Sequence, residues 1–248
     1  MRFFITAISV LFFSCNAKTK NSANNNSTES LKHSVVKAYQ VQATPQIFET
    51  AFFQNTVVKE DSLSITFYSV GIGKLKVESG KLIACDPIVM QDGVAFTQQF
   101  PIGQFPVQLA IAKIDNDERV GFSRVLFSDD AVVKWEFALQ FWQKPEPITG
   151  EAIYCYGVDA GTGLFIDEQA NKFFQQKDFS LWGQVFVTDM QKNNRNTWSY
   201  VVHEFDKYNL TAFSTGYGDG CYTTYIGFNS KGDVCRLLTD FGIVQWWK

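Results

Sequence analysis

The amino-acid sequence predicts an α+β fold that is mainly β, with an antiparallel, meander- or sandwich-like core and one or two short helices. Two observations support this prediction. Aromatic residues make up 16% of the 248 residues and charged residues 19%, a composition that supports a substantial core and favours strands over helical bundles. The strand-like segments also follow one another through short connections, which are typical of antiparallel neighbours rather than of crossovers.

The first fourteen residues predict a signal peptide. Arg2 supplies a positive charge ahead of an apolar run, residues 3–13, which is too short to span a bilayer as a helix. Cys15 follows directly, as in bacterial lipoproteins, although Phe12 stands where the usual lipobox has leucine. We therefore expect cleavage before Cys15 and acylation of its sulfur with a palmitate-type chain. Ordinary secretory cleavage is the alternative.

Residues 15–44 are expected to contain the lipidated cysteine and a flexible tether. The segment 16–30 is polar and low in complexity, as linkers are. Asn16 carries no inner-membrane retention signal, so the predicted location is the outer membrane of the cell envelope, facing either the periplasm or the surface. One β-rich domain is expected over residues 45–248.

The first half of this domain begins with a short apolar segment that predicts a helix over 47–54. Strand patterns follow, and they lie at 63–70, 74–78, 81–85, 105–114, 119–127, 132–141 and 152–158. Gly71 and Gly73 interrupt the first of them, and the turn at Ser79 and Gly80 predicts that 74–78 and 81–85 form a hairpin.

The second half predicts one clear helix over 167–177, with Asp167 as its N-cap. Residues 181–191 fit either a second helix or a strand. Strand patterns then return at 196–205, 210–214, 221–228 and 234–239. Neither an internal repeat nor a second linker is visible.

Several short strings resemble one known family. They are SGKLIACDP (79–87), PIGQFPV (101–107), YGVDAGTGLFID (156–167), GYGDGCYTTYIG (216–227) and TDF (239–241), with Arg119, Arg124 and Trp135 between them. Together they resemble, in the right order from Gly73 onwards, the family called domain of unknown function 4241. The resemblance implies no particular activity, cofactor or catalytic residue. Many similar sequences look cytoplasmic, so the lipoprotein leader is an addition of this chain.

The cysteines leave two alternatives open. Apart from Cys15, the chain has Cys85, Cys155, Cys221 and Cys235, an even number that an oxidising compartment would allow to pair in three ways. Alternatively, all four are small buried apolar side chains. The resemblance to cytoplasmic sequences favours the second alternative.

Carboxylates in glycine- or aromatic-marked turns are the candidate ligand-binding residues. The set is Asp86, Asp159, Asp167, Asp219 and Asp240, together with Gly161 and Tyr222. Asp219 is the strongest member, because it lies between Gly218 and Gly220 in the densest glycine stretch of the chain. Two such carboxylates about 5 Å apart would form a glycosidase pair or hold a hard cation for hydrolysis.

Each carboxylate also has a structural alternative. Asp86 precedes Pro87 and would initiate a turn, Asp167 would cap its helix, and Asp240 would anchor the last strand. Asp159 would cap backbone amides in its own glycine turn.

The sequence predicts neither a cofactor nor a metal site. The two histidines, His33 and His203, are too few for a His-rich zinc centre, and a Ser-His-Asp triad would have to use His203 without a nucleophile-elbow motif. The loop 159–163 lacks the Lys-Ser/Thr of a phosphate-binding loop. A net charge of −3 without a basic cluster argues against a nucleic-acid partner.

These observations favour a cell-envelope binding or interaction lipoprotein. Its partners would be the membrane, through the lipid anchor, and a protein or carbohydrate ligand in an acidic, aromatic-rimmed cleft between 159–167 and 216–225. The alternative is a carboxylate-dependent hydrolase, glycosidase-like or metal-assisted, that uses Asp219 with Asp159 or Asp86. A purely structural envelope protein would have no cleft. The spatial relation of these three carboxylates is what separates the hypotheses.

Overall fold

A computed structural model describes residues 45–150 and 152–247. The predicted signal peptide (1–14), the lipidation site Cys15 and the tether (15–44) lie outside the described residues. Within the described ranges, no helix is both long enough and apolar enough to cross a membrane.

The described residues form twelve strands in two sheets, and every strand pairing is antiparallel. The strands are β1 (Thr56–Glu60), β2 (Leu63–Val77), β3 (Leu82–Cys85), β4 (Gly103–Ile114), β5 (Asp117–Leu126), β6 (Lys134–Phe137), β7 (Tyr156–Val158), β8 (Thr162–Asp167), β9 (Tyr200–Phe205), β10 (Tyr208–Ser214), β11 (Gly220–Phe228) and β12 (Val234–Asp240). The larger sheet has the order β1-β2-β4-β5-β12-β11-β6, with β7 also on β11, and the smaller sheet has the order β3-β8-β10-β9.

The helices are short and lie on the outer faces of the sheets. They are α1 (Ile47–Thr50), α2 (Glu168–Lys177) and α3 (Met190–Lys192), with 3₁₀ helices at Pro87–Asp92 and Phe179–Leu181 and a π-helical stretch at Gln184–Asp189. Strands dominate the fold and all pair antiparallel, so the predicted fold class is confirmed. The sheet order departs from a pure meander, because β12 inserts between β5 and β11.

Three clusters of buried apolar side chains separate these layers. The central cluster takes residues from both sheets, such as Leu109 and Val125 from the larger and Phe165 and Phe213 from the smaller, so the sheets pack face to face. A second cluster joins the smaller sheet to α2 and the π-helical stretch. A third joins the outer face of the larger sheet to α1 and to the C-terminal residues. Both faces of each sheet are therefore covered.

The glycines near residue 72 do not end a strand, contrary to the sequence prediction. β2 runs through them for 15 residues, and its pairing with β4 shifts where Gly71 lies opposite Gln108 and Gly73 opposite Val107. Ile72 is therefore one extra residue in the strand, which is a β-bulge, and bulges bend a strand without interrupting its sheet.

The predicted hairpin of 74–78 with 81–85 is wrong. β2 belongs to the larger sheet and β3 to the smaller one, so the chain crosses between the sheets at Ser79 and Gly80. The carboxylate of Asp167, at the end of β8, accepts hydrogen bonds from the backbone N–H of Glu78 at 2.9 Å and of Ser79 at 2.8 Å. These bonds satisfy the backbone of the crossing, which a hairpin partner would otherwise do.

Candidate functional site

The two glycine–aspartate turns predicted from the sequence lie against each other. One connects β7 to β8 at 159–161, and the other connects β10 to β11 at 215–219. The N–H of Gly161 donates to Oδ1 of Asp219 at 3.1 Å, and the carbonyl of Gly161 accepts from the N–H of Thr215 at 3.1 Å. Gly161 has a φ of +58°, a conformation that glycine adopts without steric cost. The structure therefore brings Asp159, Gly161 and Asp219 together.

Asp86 contacts the same turn from the protein interior. It is 1% exposed, and its Oδ2 accepts from the N–H of Asp159 at 2.7 Å and of Ala160 at 2.8 Å. Its Oδ1 accepts from the N–H of Ile88 at 2.7 Å and caps the 3₁₀ helix. Both oxygens are therefore engaged by backbone amides, which hold the loop in place.

Asp167 and Asp240 lie apart from these turns and are buried. Asp167 accepts from Gln169 and Ala170 as the N-cap of α2, and its other oxygen accepts from the 78–79 crossing. Asp240 accepts from the indole Nε1 of Trp246 at 2.7 Å and from the N–H of Gly242 at 2.8 Å. Burial raises the pKa of Asp240 to about 6, although these two hydrogen bonds oppose the shift.

The aromatic residues around the turns are mostly interior. Tyr222 is 8% exposed, donates its hydroxyl to the carbonyl of Gly218 at 2.7 Å and has a pKa raised by burial. Tyr225 is buried against Phe48. Tyr217 is 64% exposed, with the guanidinium of Arg119 at 5.4 Å from its ring. Tyr217 is thus the aromatic residue beside the turns that a ligand would reach first.

Of the five candidate carboxylates, Asp159 and Asp219 are the two exposed ones. Across residues 45–150 and 152–247, no three His, Cys, Asp or Glu side chains are grouped to hold a metal ion. Asp86 and Asp219 both direct an oxygen at backbone amides of the 159–161 turn. The two turns therefore form a braced surface on which Asp159, Asp219 and Tyr217 remain accessible.

A disulfide lies beside this surface. Cys155 and Cys221 are bonded across a sequence separation of 66, with 5.3 Å between their Cα atoms, and they connect the start of β7 to the start of β11. Cys85 and Cys235 are buried and carry free thiols, whose pKa is raised by burial. One of the possible pairings is thus formed, while the other two cysteines fit the apolar alternative.

His203 takes no part in either turn. It lies half-buried on β9, stacked on Phe205 at 5.6 Å and edge-on to Phe174 at 6.1 Å. Burial lowers the pKa of its imidazole, and its Nε2 is buried without a hydrogen-bond partner among the described residues. These contacts place His203 in the packing under α2.

A groove lies in another part of the structure, along the edge strand β6. Its volume is about 660 Å³, and its walls come from three segments, namely residues 45, 46, 49 and 50 beside α1, residues 132–136, and residues 146–148. We call it the β6 groove. Val133 in its wall is 64% exposed, and Trp135 is half-buried. Val132, Ile148, Pro45 and Pro147 extend the apolar lining.

Aromatic packing of Trp135 and a cluster of charged side chains around Glu49 support the groove. The indole of Trp135 packs edge-on against Phe48 of α1 at 5.1 Å and lies over Gly227, where a Cβ would come within 3.1 Å of the ring. Glu49 bonds Arg236 at 3.1 Å and contacts Arg124 at 3.3 Å. These contacts tie α1 to the sheet and fix one wall of the groove.

Sequence reasoning did not find this groove. Its walls come from three separate segments, and apart from Trp135, which is part of the family resemblance, none carries a recognised motif. The available signals were the adjacent Val132 and Val133, which are apolar at a strand end, and the prolines at 145 and 147.

Comparison with known proteins identifies the family. Residues 75–239 match the family described as "protein of unknown function (DUF4241)", and this range is about two thirds of the chain. The chain belongs to the DUF4241 family. The resemblance seen in the sequence is therefore confirmed. No curated protein and no solved structure matches the chain.

The DUF4241 match covers the whole turn surface but only part of the β6 groove. It includes Asp86, Asp159, Asp219 and the disulfide, and it includes the walls of the β6 groove at 132–136 and 146–148. It leaves out α1, which forms the remaining wall, and Asp240. The turn surface thus lies wholly within the matched part, whereas the groove is completed by a segment of this chain that precedes it.

Proposed function

We propose that this DUF4241 protein is a binding module of the cell envelope and that the β6 groove is its ligand site. The observation that carries the proposal is the groove itself. Ligand sites are clefts of about 300–1,000 Å³ with a mainly apolar lining and a few polar groups. The β6 groove has a volume of about 660 Å³ and combines Trp135, two valines and two prolines with three glutamates and a lysine.

The turn surface around Asp159 and Asp219 is a weaker candidate for the ligand site. Both carboxylates are exposed and Tyr217 stands beside them, as expected for an acidic, aromatic-rimmed site. However, Asp86, Asp167, Tyr222 and Asp240 are turned inward, so few groups remain to contact a ligand.

A carboxylate-dependent hydrolase is the alternative function. It would use Asp219 with Asp159, because Asp86 is 1% exposed and its two oxygens already accept three backbone hydrogen bonds. No described residue group favours this reaction over binding.

We further propose that a lipid on Cys15 anchors the protein to the outer membrane. The proposal rests on the short apolar run, residues 3–13, just before Ser14 and Cys15, and on the polar tether after Cys15. Mass spectrometry of the mature protein should find an acylated Cys15 at the N terminus, and globomycin should cause the unprocessed form to accumulate. A mature N terminus at any other residue would overturn the anchor.

The ligand-site proposal is tested by a matched pair of variants. The ¹⁵N-labelled protein is titrated with maltotetraose, cellotetraose, chitotetraose and short acidic, neutral and basic peptides. A ligand should shift the signals of residues 132–136. Val133→Arg should abolish that shift, whereas Ile102→Arg, which changes an equally exposed apolar side chain (67%) away from the groove, should leave it intact.

Two results would count against the proposal. If ligands shift Asp159, Gly161 and Tyr217 instead, the site lies on the turn surface. If no probe shifts any signal, the protein is not a binding module for these ligand classes.

A further inference from the structure

We infer that the β6 groove binds an extended peptide segment of a partner protein by β-strand addition, with a Lys or Arg side chain of that segment facing Glu146. This inference rests on the proposed function and names the chemistry of its ligand. In β-strand addition a peptide pairs with the free edge of a sheet, so that backbone hydrogen bonds supply affinity and flanking pockets supply specificity.

The backbone of Trp135 is free to make such bonds. The N–H of Ala138 donates to the carbonyl of Thr224 at 2.9 Å, so residues 138 and 136 turn their N–H and C=O towards β11. These groups alternate along a strand, so Trp135, opposite Gly227, turns its N–H and C=O away from β11. The N–H of Val133 bonds the carbonyl of Phe228, but Val133 precedes β6 and lies outside this alternation. Among the described residues, neither group has a hydrogen-bond partner.

The same edge is already paired a few residues further on. The carbonyl of Leu139, which faces the same way as that of Trp135, accepts from the N–H of Thr97 at 2.8 Å and from its hydroxyl at 3.1 Å. The loop that contains Thr97 thus covers the edge beyond the end of β6. No segment within residues 45–150 and 152–247 pairs with the edge beside Trp135, and free strand edges tend to pair with other chains.

The groove runs along this edge. Lys134, Trp135 and Glu136 all line it, although successive side chains of a strand point to opposite faces. Three consecutive residues can share one groove when it follows the strand edge itself. Residues 146–148 and the α1 side provide the other walls, so an added strand would lie between β6 and Pro147.

The charges of the lining indicate which peptide fits. Glu49 is bonded to Arg236 and contacts Arg124, and Glu136 is ion-paired with Lys134. Glu146 is exposed and, within the described part of the chain, has no ion-pair partner. A cationic side chain of the peptide would therefore pair with Glu146, while an apolar neighbour would contact Val133.

The experiment uses the peptide acetyl-Lys-Val-Thr-Val-Lys-amide and two N-methylated analogues, one methylated at both valines and one at threonine. In a strand, alternate N–H groups point the same way, so one analogue loses the N–H that faces Trp135 and the other loses an N–H that faces solvent. Strand addition predicts at least about tenfold weaker binding for one analogue and about unchanged binding for the other. Equal binding of both, or loss of both, would overturn strand addition.

Amide exchange at Trp135 is the second readout. In the free full-length protein the Trp135 amide should exchange freely, and saturating peptide should slow it by at least about tenfold. A Trp135 amide that is protected before any peptide is added would mean that the chain's own N-terminal residues already cover the edge, which would overturn the partner assignment.

Charge recognition is tested by Glu146→Gln, which should weaken the peptide about threefold or more, with Asp92→Asn as a control at an exposed carboxylate outside the groove. An equal effect of both variants would overturn the role of Glu146. If an oligosaccharide binds the groove while all peptides fail, this inference is wrong and the proposed function stands. If nothing binds the groove, both fail.

Discussion

Asp86 and Asp219 both bond the backbone of the 159–161 turn, but from different depths. Asp86 is buried and accepts three backbone N–H groups, whereas Asp219 is exposed and accepts one. A buried donor that loses its acceptor costs about 1–3 kcal/mol, whereas an exposed donor turns to water instead. The two carboxylates therefore contribute differently to stability.

We expect Asp86→Asn to destabilise the fold by about 2–3 kcal/mol, because the new amide NH₂ would face backbone donors. Asp219→Asn should cost less than about 1 kcal/mol. Urea unfolding at pH 7 measures both. An equal cost for the two variants would assign Asp219 to the scaffold, and hydrolytic activity that is lost in a stable Asp219→Asn protein would favour the hydrolase.

Asp240 predicts a pH dependence of stability. Because burial raises its pKa to about 6, the folded chain keeps a proton that the unfolded chain has released above its ordinary pKa of about 3.9. Stability from this group is therefore fully present below about pH 4 and is lost as the pH rises to 6, by about 3 kcal/mol.

Asp240→Asn should remove this component. The difference in unfolding free energy between wild type and variant is measured in urea from pH 4 to pH 7, which cancels the carboxylates that both share. The wild type should lose stability relative to the variant as the pH rises. A difference that stays constant with pH would show that folding does not raise the pKa of Asp240.

At the residue scale, the sequence predicted the local role of a residue better than it predicted which distant residues that residue contacts. It predicted Asp167 as the N-cap of α2 because capping depends on residues two and three positions away. It left Asp86 and Asp219 open, since what each contacts is set by residues 73 and 58 positions distant. Contacts between residues a few positions apart can be predicted from the sequence, whereas contacts between loops far apart in the chain cannot.

The disulfide joins two secondary-structure elements that the sequence did not pair. Cys155 precedes β7 and Cys221 lies in β11, and the bond restrains a loop of about 66 residues in the unfolded chain. A loop of that length implies a stabilisation of about 4 kcal/mol by the chain-entropy estimate. Because β7 leads directly into the 159–161 turn, the disulfide also restrains the chain on one side of the turn surface.

Reduction should therefore lower the unfolding free energy by about 4 kcal/mol, and so should Cys155→Ala with Cys221→Ala. Urea unfolding with and without dithiothreitol measures the effect. A Cys85→Ala, Cys235→Ala protein is the control and should respond to reductant as the wild type does. Equal stability with and without reductant would mean that the bond adds no constraint.

Elements with a local pattern were predicted well and elements defined by distant partners were not. The strands β4, β5 and β12 alternate or run apolar over a long stretch, and their predicted bounds lie close to those observed. β8 was missed, because all its residues are buried and Gly161 and Gly163, at its start, resemble a loop in the sequence. The prediction of a hairpin at Ser79 was wrong for a related reason, because Asp167, which is far away in the chain, stabilises the crossing between the sheets.

The described residues form four layers, with a helical cover outside each sheet. The cover on the larger sheet is slight, because α1 has four residues and the rest is the C-terminal segment. Phe48 packs against Phe122, Trp135, Tyr225 and Trp246. Glu49 holds the cover by hydrogen bonds from Arg236 and an ion pair with Arg124. The cover also forms a wall of the β6 groove.

Glu49→Gln tests how strongly this cover is held. Arg124 and Arg236 are 6% and 5% exposed, and Glu49 forms an ion pair with each of them. Burial already lowers the pKa of Arg124 to about 10, against the opposing effect of Glu49. Removing one partner of a buried ion pair costs about 3–5 kcal/mol, and since Glu49 is partly exposed we expect about 3 kcal/mol.

Glu136→Gln is the matched control, because Glu136 is an exposed glutamate paired with Lys134 and should change stability by less than about 1 kcal/mol. Urea unfolding is followed by tryptophan fluorescence, which senses Trp135 and Trp246 beside Phe48. If α1 is fastened mainly by charge, Glu49→Gln should also weaken any ligand of the β6 groove, since one wall would loosen. Unchanged stability would instead show that the aromatic contacts of Phe48 hold the cover without the carboxylate.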